Sequence, residues 1–409
     1  MFSKSLWAAL LIASPATMLE AKPGVVVSYD MLPRLVRSQN PELTAARVRI
    51  REALARSAKA GRHANPELET SVEQNSRFRE WKAEIGFTQR FPVTDRLRLE
   101  REIGLTEVKA AEAEVREVER QLVAAAREAM VEIQALRQRR DLLVRQRKLS
   151  EEFATFLDQV AGKGEGSPLD AGMAQIEAAG VDLTLRQIDA EEAAATGRLK
   201  TALGTPAGTP LGISGTLPPP ARAAASANPA RRADLQARTI AAEAAGRGVD
   251  LERARKYEDL EAGIFAGTER REDAPNGFDR EALVGLRLRI PLPLWNDNRA
   301  AVDEAEAKHQ RARLEADALE KSIRLESETT RAEMDRWAKL VSEIEQTLLP
   351  LADKQAAEAE KAFRNGQGDL QTVFRSREKH LAIASSRLDA LRQFHLARVR
   401  HDAANGNSN

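Results

Sequence analysis

Apolar positions along this chain repeat with two periods, seven and two, and the pair of patterns occurs twice in the same order. Between Pro92 and Pro168 there is no proline, and an apolar residue returns every seventh position through Val108, Val115, Leu122, Ala129, Leu136 and Leu143. Ala111, Val118 and Ala125 take the intermediate sites, which predicts the narrow a/d seam of a coiled coil rather than the broader stripe of a globular helix. The seven-residue period recurs between Pro293 and Pro350 through Val302, Ala316, Ile323, Trp337, Ile344 and Leu351, with His309 and Thr330 as polar exceptions. Each stretch runs about 60 residues, on the order of 90 Å as a helix. Pro350 is expected to kink or restart the second one near its end.

Ahead of each long helix the period changes to two. Leu68, Thr70 and Val72 alternate with Glu69, Ser71 and Glu73, and Ala83, Ile85, Phe87 and Phe91 alternate with Glu84, Gly86, Thr88 and Arg90. In the second copy Leu260, Ala262, Ile264 and Ala266 share one face. After a segment read as a loop rich in charge and turn residues, Leu286, Leu288 and Ile290 alternate with Arg287 and Arg289. Such alternation predicts β-hairpins at about 67–92 and about 258–292. It is also the signature of a transmembrane strand, apolar outward and polar inward. Phe78 and Trp81 near the start of one strand, and Trp295 past the end of another, are candidate membrane-interface aromatics.

A Gly-rich break and a shorter helix follow each long one. The first break spans Gly162 to Asp170, with Gly164 and Gly166 in the turn, Ser167 as cap and Pro168 in the first turn of a helix of about 35 residues ending near Gly204. The second spans Arg364 to Thr372, with Gly366 and Gly368 in the turn and Asp369 as cap of a helix running toward His401. These form helical hairpins at about 95–204 and about 299–403. Short signals repeat too: Asn40-Pro41-Glu42-Leu43-Thr44-Ala45-Ala46-Arg47 returns about 195 residues later as Arg232-Ala233-Asp234-Leu235-Gln236-Ala237-Arg238. The chain therefore divides into a first repeat at 22–205, an extended connector at 206–228 containing Pro218-Pro219-Pro220, a second repeat at 229–403 and a disordered tail at 404–409.

Composition narrows what such a chain can do. It carries 63 basic and 62 acidic residues among 409, so no nucleic-acid footprint is present. Aromatic residues make up 4% and cysteine is absent, which leaves no disulfide framework, thiolate metal site or cysteine nucleophile. The five histidines are scattered, and neither a metal site, a cofactor site nor a catalytic constellation emerges; the chain reads as no enzyme. Residues 1–21 read as an export signal, with Lys4, an apolar run from Leu6 to Ala13 and a cut after Ala21. No stretch is long and apolar enough for a spanning helix, so membrane entry would require a barrel. Four strands cannot close one. Three identical chains would give twelve strands and a conducting lumen.

The order of elements, with the stretch Ile290-Pro291-Leu292-Pro293-Leu294-Trp295-Asn296-Asp297-Asn298, resembles the TolC family of outer-membrane efflux proteins. Within it the chain is most similar to the outer-membrane components of cobalt-zinc-cadmium type heavy-metal efflux systems. The family usually places Gly where this chain has Ala300. The resemblance implies a mainly α fold with a small β part, in which two tandem repeats of helix, β-hairpin, long helix and shorter helix form, as a homotrimer, a long helical barrel and a transmembrane β-barrel. It implies passive conduction of substrate, heavy-metal cations, with no cofactor, no metal centre and no nucleic acid. The partners implied are outer-membrane lipid, a periplasmic adaptor (membrane fusion protein) and an inner-membrane proton-driven pump of the resistance-nodulation-division type. Gly164, Gly166, Ser167, Asp170, Gly366, Gly368 and Asp369 would then form the periplasmic tip, gate and adaptor-docking surface. A ring of Asp170 or Asp369 carboxylates would favour cations. The same conduit for drugs or secreted polypeptides is an alternative reading, and a periplasmic coiled-coil scaffold is another.

Overall fold

The computed structural model describes residues 25–164, 167–221, 228–273 and 275–407. The expected export signal and Gly166 lie outside them. The architecture is mainly helical, with one four-stranded sheet at one end. The first half contributes β1 (Val25–Val27), α1 (Leu32–Gln39), α2 (Pro41–Lys59), β2 (Glu67–Gln74), β3 (Trp81–Phe91), α3 (Arg96–Gly162) and α4 (Pro168–Leu203). After β4 (Leu211–Ile213) the second half repeats the order with α5 (Ala233–Ala254), β5 (Leu260–Asp273), β6 (Gly277–Arg289), α6 (Arg299–Glu343), α7 (Leu349–Arg364) and α8 (Leu370–Ala404).

With 67 residues, α3 is about 100 Å long and spans the molecule from the sheet to the far tips. Its apolar seam is wider than a two-position repeat. Val123, Ala126, Met130 and Ile133 pack with residues of α1, α2 and α4, while Val131 and Ala135 pack with Leu217, Val341, Ala390, Leu391 and Val399. Leu122 and Leu136 are only half-buried and Ala125 is exposed. The reason is that this helix has neighbours on opposite sides, so it carries two seams. The proline at 350 acts as expected: a π-helical turn, Ile344–Leu348, interrupts the rod, and α7 restarts with Pro350 in its first turn.

Asn40 explains why its motif is worth repeating. Its Oδ1 accepts from the Leu43 amide at 3.0 Å to cap α2, and its Nδ2 donates to the Ala202 carbonyl at 2.7 Å at the end of α4. The second copy reaches the same end differently. Arg232 stands at the start of α5 and binds Asp234 at 2.6 Å and Glu326 at 2.7 Å. Burial opposes its charge, and the bonds to those two carboxylates outweigh the burial and raise its pKa.

Two expectations require correction. The connector is not wholly extended coil: β4 pairs in parallel with β1, Val25 opposite Leu211 through Val27 opposite Ile213. Neither three-residue strand shows enough periodicity to be seen in sequence. The tail at 404–407 is packed rather than disordered. Ala404 ends α8, and the buried Asn405 side chain bonds Ser327 Oγ and His401 Nε2, each at 3.0 Å. Ser327 lies 78 residues away in the chain, so the short polar tail gave no hint of that bond.

Candidate functional site

The helical tips are built by two equivalent turns. At the end of α7 the Gly366 amide donates to the Phe363 carbonyl at 2.9 Å and the Gln367 amide to the Ala362 carbonyl at 2.9 Å. This turn needs a left-handed residue, and Gly366 has a φ of 73°. The end of α3 repeats it with Gly164, φ 78°, whose amide donates to Ala161 at 3.0 Å. Gly368 lies close to the Phe363 backbone. Each following helix is capped by the expected side chain. Ser167 Oγ accepts from the Leu169 amide at 3.2 Å, and Asp369 Oδ1 accepts from the Thr372 amide at 2.7 Å.

The two tip carboxylates differ. Asp369 uses its second oxygen as well, accepting from Thr372 Oγ1 at 2.9 Å, and these bonds hold its pKa below the usual range. Asp170 sits in the first turn of α4, half-buried, and its carboxylate has no partner among the described residues.

Beneath the turns lies a cluster that the sequence reading missed. Phe153 is 2% exposed, with the rings of Phe156, Phe363 and Phe374 at 6.4, 5.8 and 6.0 Å. Arg377 sits 4.5 Å over the Phe153 ring and binds Glu360 at 2.8 Å; Arg364 lies over Phe156 and binds the same Glu360 at 2.7 Å. Burial works against the Glu360 charge, and its bonds to the two arginines outweigh it, lowering its pKa. The cluster joins all four helices at the tips. The signal was present: four of only 11 phenylalanines fall close to the two Gly-rich breaks.

At the opposite end the strands form one antiparallel sheet in the order β2-β3-β5-β6. Leu68 lies opposite Phe87, Phe87 opposite Ile264 and Ile264 opposite Leu286, so one face is apolar from edge to edge. These residues are exposed, as are Val72, Ile85, Val284 and Leu288. The other face is polar and concave. Arg287 of β6 reaches Glu69 of β2 across two intervening strands, which requires the sheet to curl toward that side. Phe265 covers Gly285 there; a Cβ at position 285 would lie 2.4 Å from the ring. The outer edges of β2 and β6 are unpaired among the described residues.

The second hairpin is longer than its apolar pattern suggested. The segment read as a loop is strand on both sides, paired from Gly267 opposite Leu283 to Asp273 opposite Gly277. Charge on both faces hid the alternation, because this part of the hairpin extends past the apolar belt. Trp81 lies on the apolar face at the end farther from the helices, opposite Arg270. Phe78 is in the β2–β3 turn with φ 56°, and Trp295 follows β6 at the helix end of the sheet, 95% exposed. Asn298 is itself left-handed, φ 60°, and its Nδ2 donates to the Glu252 carbonyl at 2.7 Å. The sharp reversal is therefore made before Ala300, which stands in the first turn of α6 without strain.

A model of the family described as outer membrane efflux protein matches residues 32–205 and again residues 226–407. The chain belongs to this family. It is accordingly an efflux channel protein of the outer membrane, projecting into the periplasm, and not an enzyme. Solved structures share the fold. The outer-membrane channel OprN matches with a TM-score of 0.75 at 17% identity, covering 93% of this chain and 90% of its own. CusC, described for transmembrane channel formation, gives 0.76 at 16%, covering 95% of each chain. The outer membrane protein VceC from Vibrio cholerae gives 0.74 at 17%, covering 92% of this chain and 96% of its own. No curated protein matches the chain.

Proposed function

We propose that three copies of this chain close their sheets into a twelve-stranded barrel and carry heavy-metal cations through it to the exterior. The observation that carries this reading is the two-faced sheet with open edges. Unpaired strand edges are not tolerated in hydrocarbon, so an apolar face of this kind must be completed by further strands. From Phe91 to Trp81 the strand rises about 33 Å, which at the usual tilt matches an apolar band about 25 Å tall. In this arrangement Trp81 and Phe78 stand toward the outer interface and Trp295 toward the inner one.

The cargo reading rests on charge as well as on the 290–298 stretch. The polar face carries Glu67, Glu69, Glu73, Glu84, Glu261, Glu269, Asp279 and Glu281 against Lys82, Arg90, Arg271, Arg287 and Arg289. A lumen with this excess favours cations. At the far end the turns around Gly164, Gly166, Ser167, Asp170, Gly366, Gly368 and Asp369 gate the conduit and dock a periplasmic adaptor, fed by an inner-membrane proton-driven pump. Deleting the gene in its host tests the cargo. Lowered tolerance of cobalt, zinc or cadmium is the expected result; unchanged metal tolerance with new sensitivity to organic drugs would replace the cargo assignment.

A further inference from the structure

One register row on the apolar face breaks its chemistry. Trp81, Arg270 and Arg280 lie side by side on β3, β5 and β6, with the two arginines directly opposite each other. Like charges facing each other across neighbouring strands repel and destabilise the pair. Neither guanidinium has a carboxylate partner among the described residues. The same-face carboxylate Glu272 is paired with Arg79 at 3.6 Å, and nearby Glu80 accepts from Asn75 Nδ2 at 2.9 Å and from the Glu272 amide at 3.1 Å. Aromatic rings hold the cations instead: Arg270 lies 4.4 Å over Phe278, and Arg280 lies 5.7 Å over Trp81. Two cations are thus set opposite each other, oriented and, among the described residues, without a counter-charge.

Their surroundings suit a lipid. On these three strands the row beneath carries the small residues Ala83, Thr268 and Ala282, with Val72 of β2 beside Ala83, and the next contains Ile85 and Val284, 51% and 86% exposed. The small side chains of this row therefore lie between apolar surface on one side and the two cations on the other. The helices project into the periplasm, so this end of the sheet lies toward the outer leaflet. We infer that Arg270 and Arg280 bind the phosphate of a phosphorylated glycolipid headgroup in the outer leaflet, with its acyl chains along the belt below. The site rests on the proposed lipid-facing orientation of the sheet.

The test uses the intact detergent-solubilised channel, with bound lipid counted by native mass spectrometry after titration with a phosphorylated glycolipid, its dephosphorylated form, or inorganic phosphate. The wild type should retain the phosphorylated lipid and release the dephosphorylated one. At about fivefold per basic residue near an anionic surface, R270Q/R280Q should weaken binding about thirtyfold, whereas R270K/R280K should stay within severalfold of wild type. Equal retention of both lipids, undiminished binding by R270Q/R280Q, or displacement of the lipid by an equal concentration of inorganic phosphate would overturn the assignment while leaving the barrel intact. A wild-type particle that does not assemble from several chains would remove the orientation itself, and this site with it.

Discussion

Phe153→Ala probes the aromatic clamp beneath the tips. The side chain is 2% exposed, surrounded by three rings and covered by the Arg377 guanidinium. Truncating a buried Phe to Ala costs about 3–5 kcal/mol, through lost transfer energy and the cavity left behind. In this site it also strips the apolar support from a desolvated Arg377, which is 8% exposed. At about 1.4 kcal/mol per tenfold, amides that exchange through local opening of the tip should exchange about two to three and a half decades faster, up to the limit set by wild-type protection. Hydrogen exchange read by mass spectrometry on peptides covering the ends of α3 and α7 and the starts of α4 and α8 measures this. Peptides of β3 and β5 should not change. Because the rings belong to both helical hairpins, both must loosen together. Acceleration confined to α3 and α4, with α7 and α8 unaffected, would refute the claim that the cluster couples the two hairpins.

Asn40→Ala removes a helix cap and leaves the Ala202 carbonyl unpaired in a buried place, so it should destabilise the protein by about 2–3 kcal/mol in a chemical denaturation series. Burial depresses the His395 pKa, and its neutral Nε2 donates to the Pro218 carbonyl at 2.8 Å. Below the ordinary histidine value the unfolded chain takes up a proton that the fold refuses, so stability should decline as pH falls from about 7 toward 5. His395→Gln should flatten that slope in melting curves; half-buried Asp402, whose raised pKa acts with the opposite sign, is common to both proteins and cancels in the comparison. In planar bilayers, Asp170→Asn should reduce cation preference more than Asp369→Asn, because the Asp369 oxygens are both committed to Thr372. Equal effects would remove the distinction.

The parts of the fold legible in the sequence were those with long, regular periods. Seven-residue spacing through Val108 and Val115 marked the long helix, and alternation around Ile85 and Ile264 marked the strands, because each pattern repeats over many turns or pleats. Capping was legible at Ser167 and Asp369, since a cap is a local bond between near neighbours. What escaped depends on distant partners. The β1–β4 pair joins two short segments whose partners are far apart in the chain. The outer half of the β5–β6 hairpin carries charge on both faces and so lacks the alternation of a half-buried strand. The tip cluster draws its rings from three helices, and only their scarcity elsewhere hinted at it. Register carried further information: the row of Trp81, Arg270 and Arg280 becomes visible only when strands distant in sequence are set side by side.

The most direct test of the account counts chains in the membrane-extracted particle by native mass spectrometry. Three copies per particle is the predicted result, because each protomer supplies four strands and leaves the edges of β2 and β6 to be met by neighbours. A particle of one chain, stable after the detergent is removed, would contradict it.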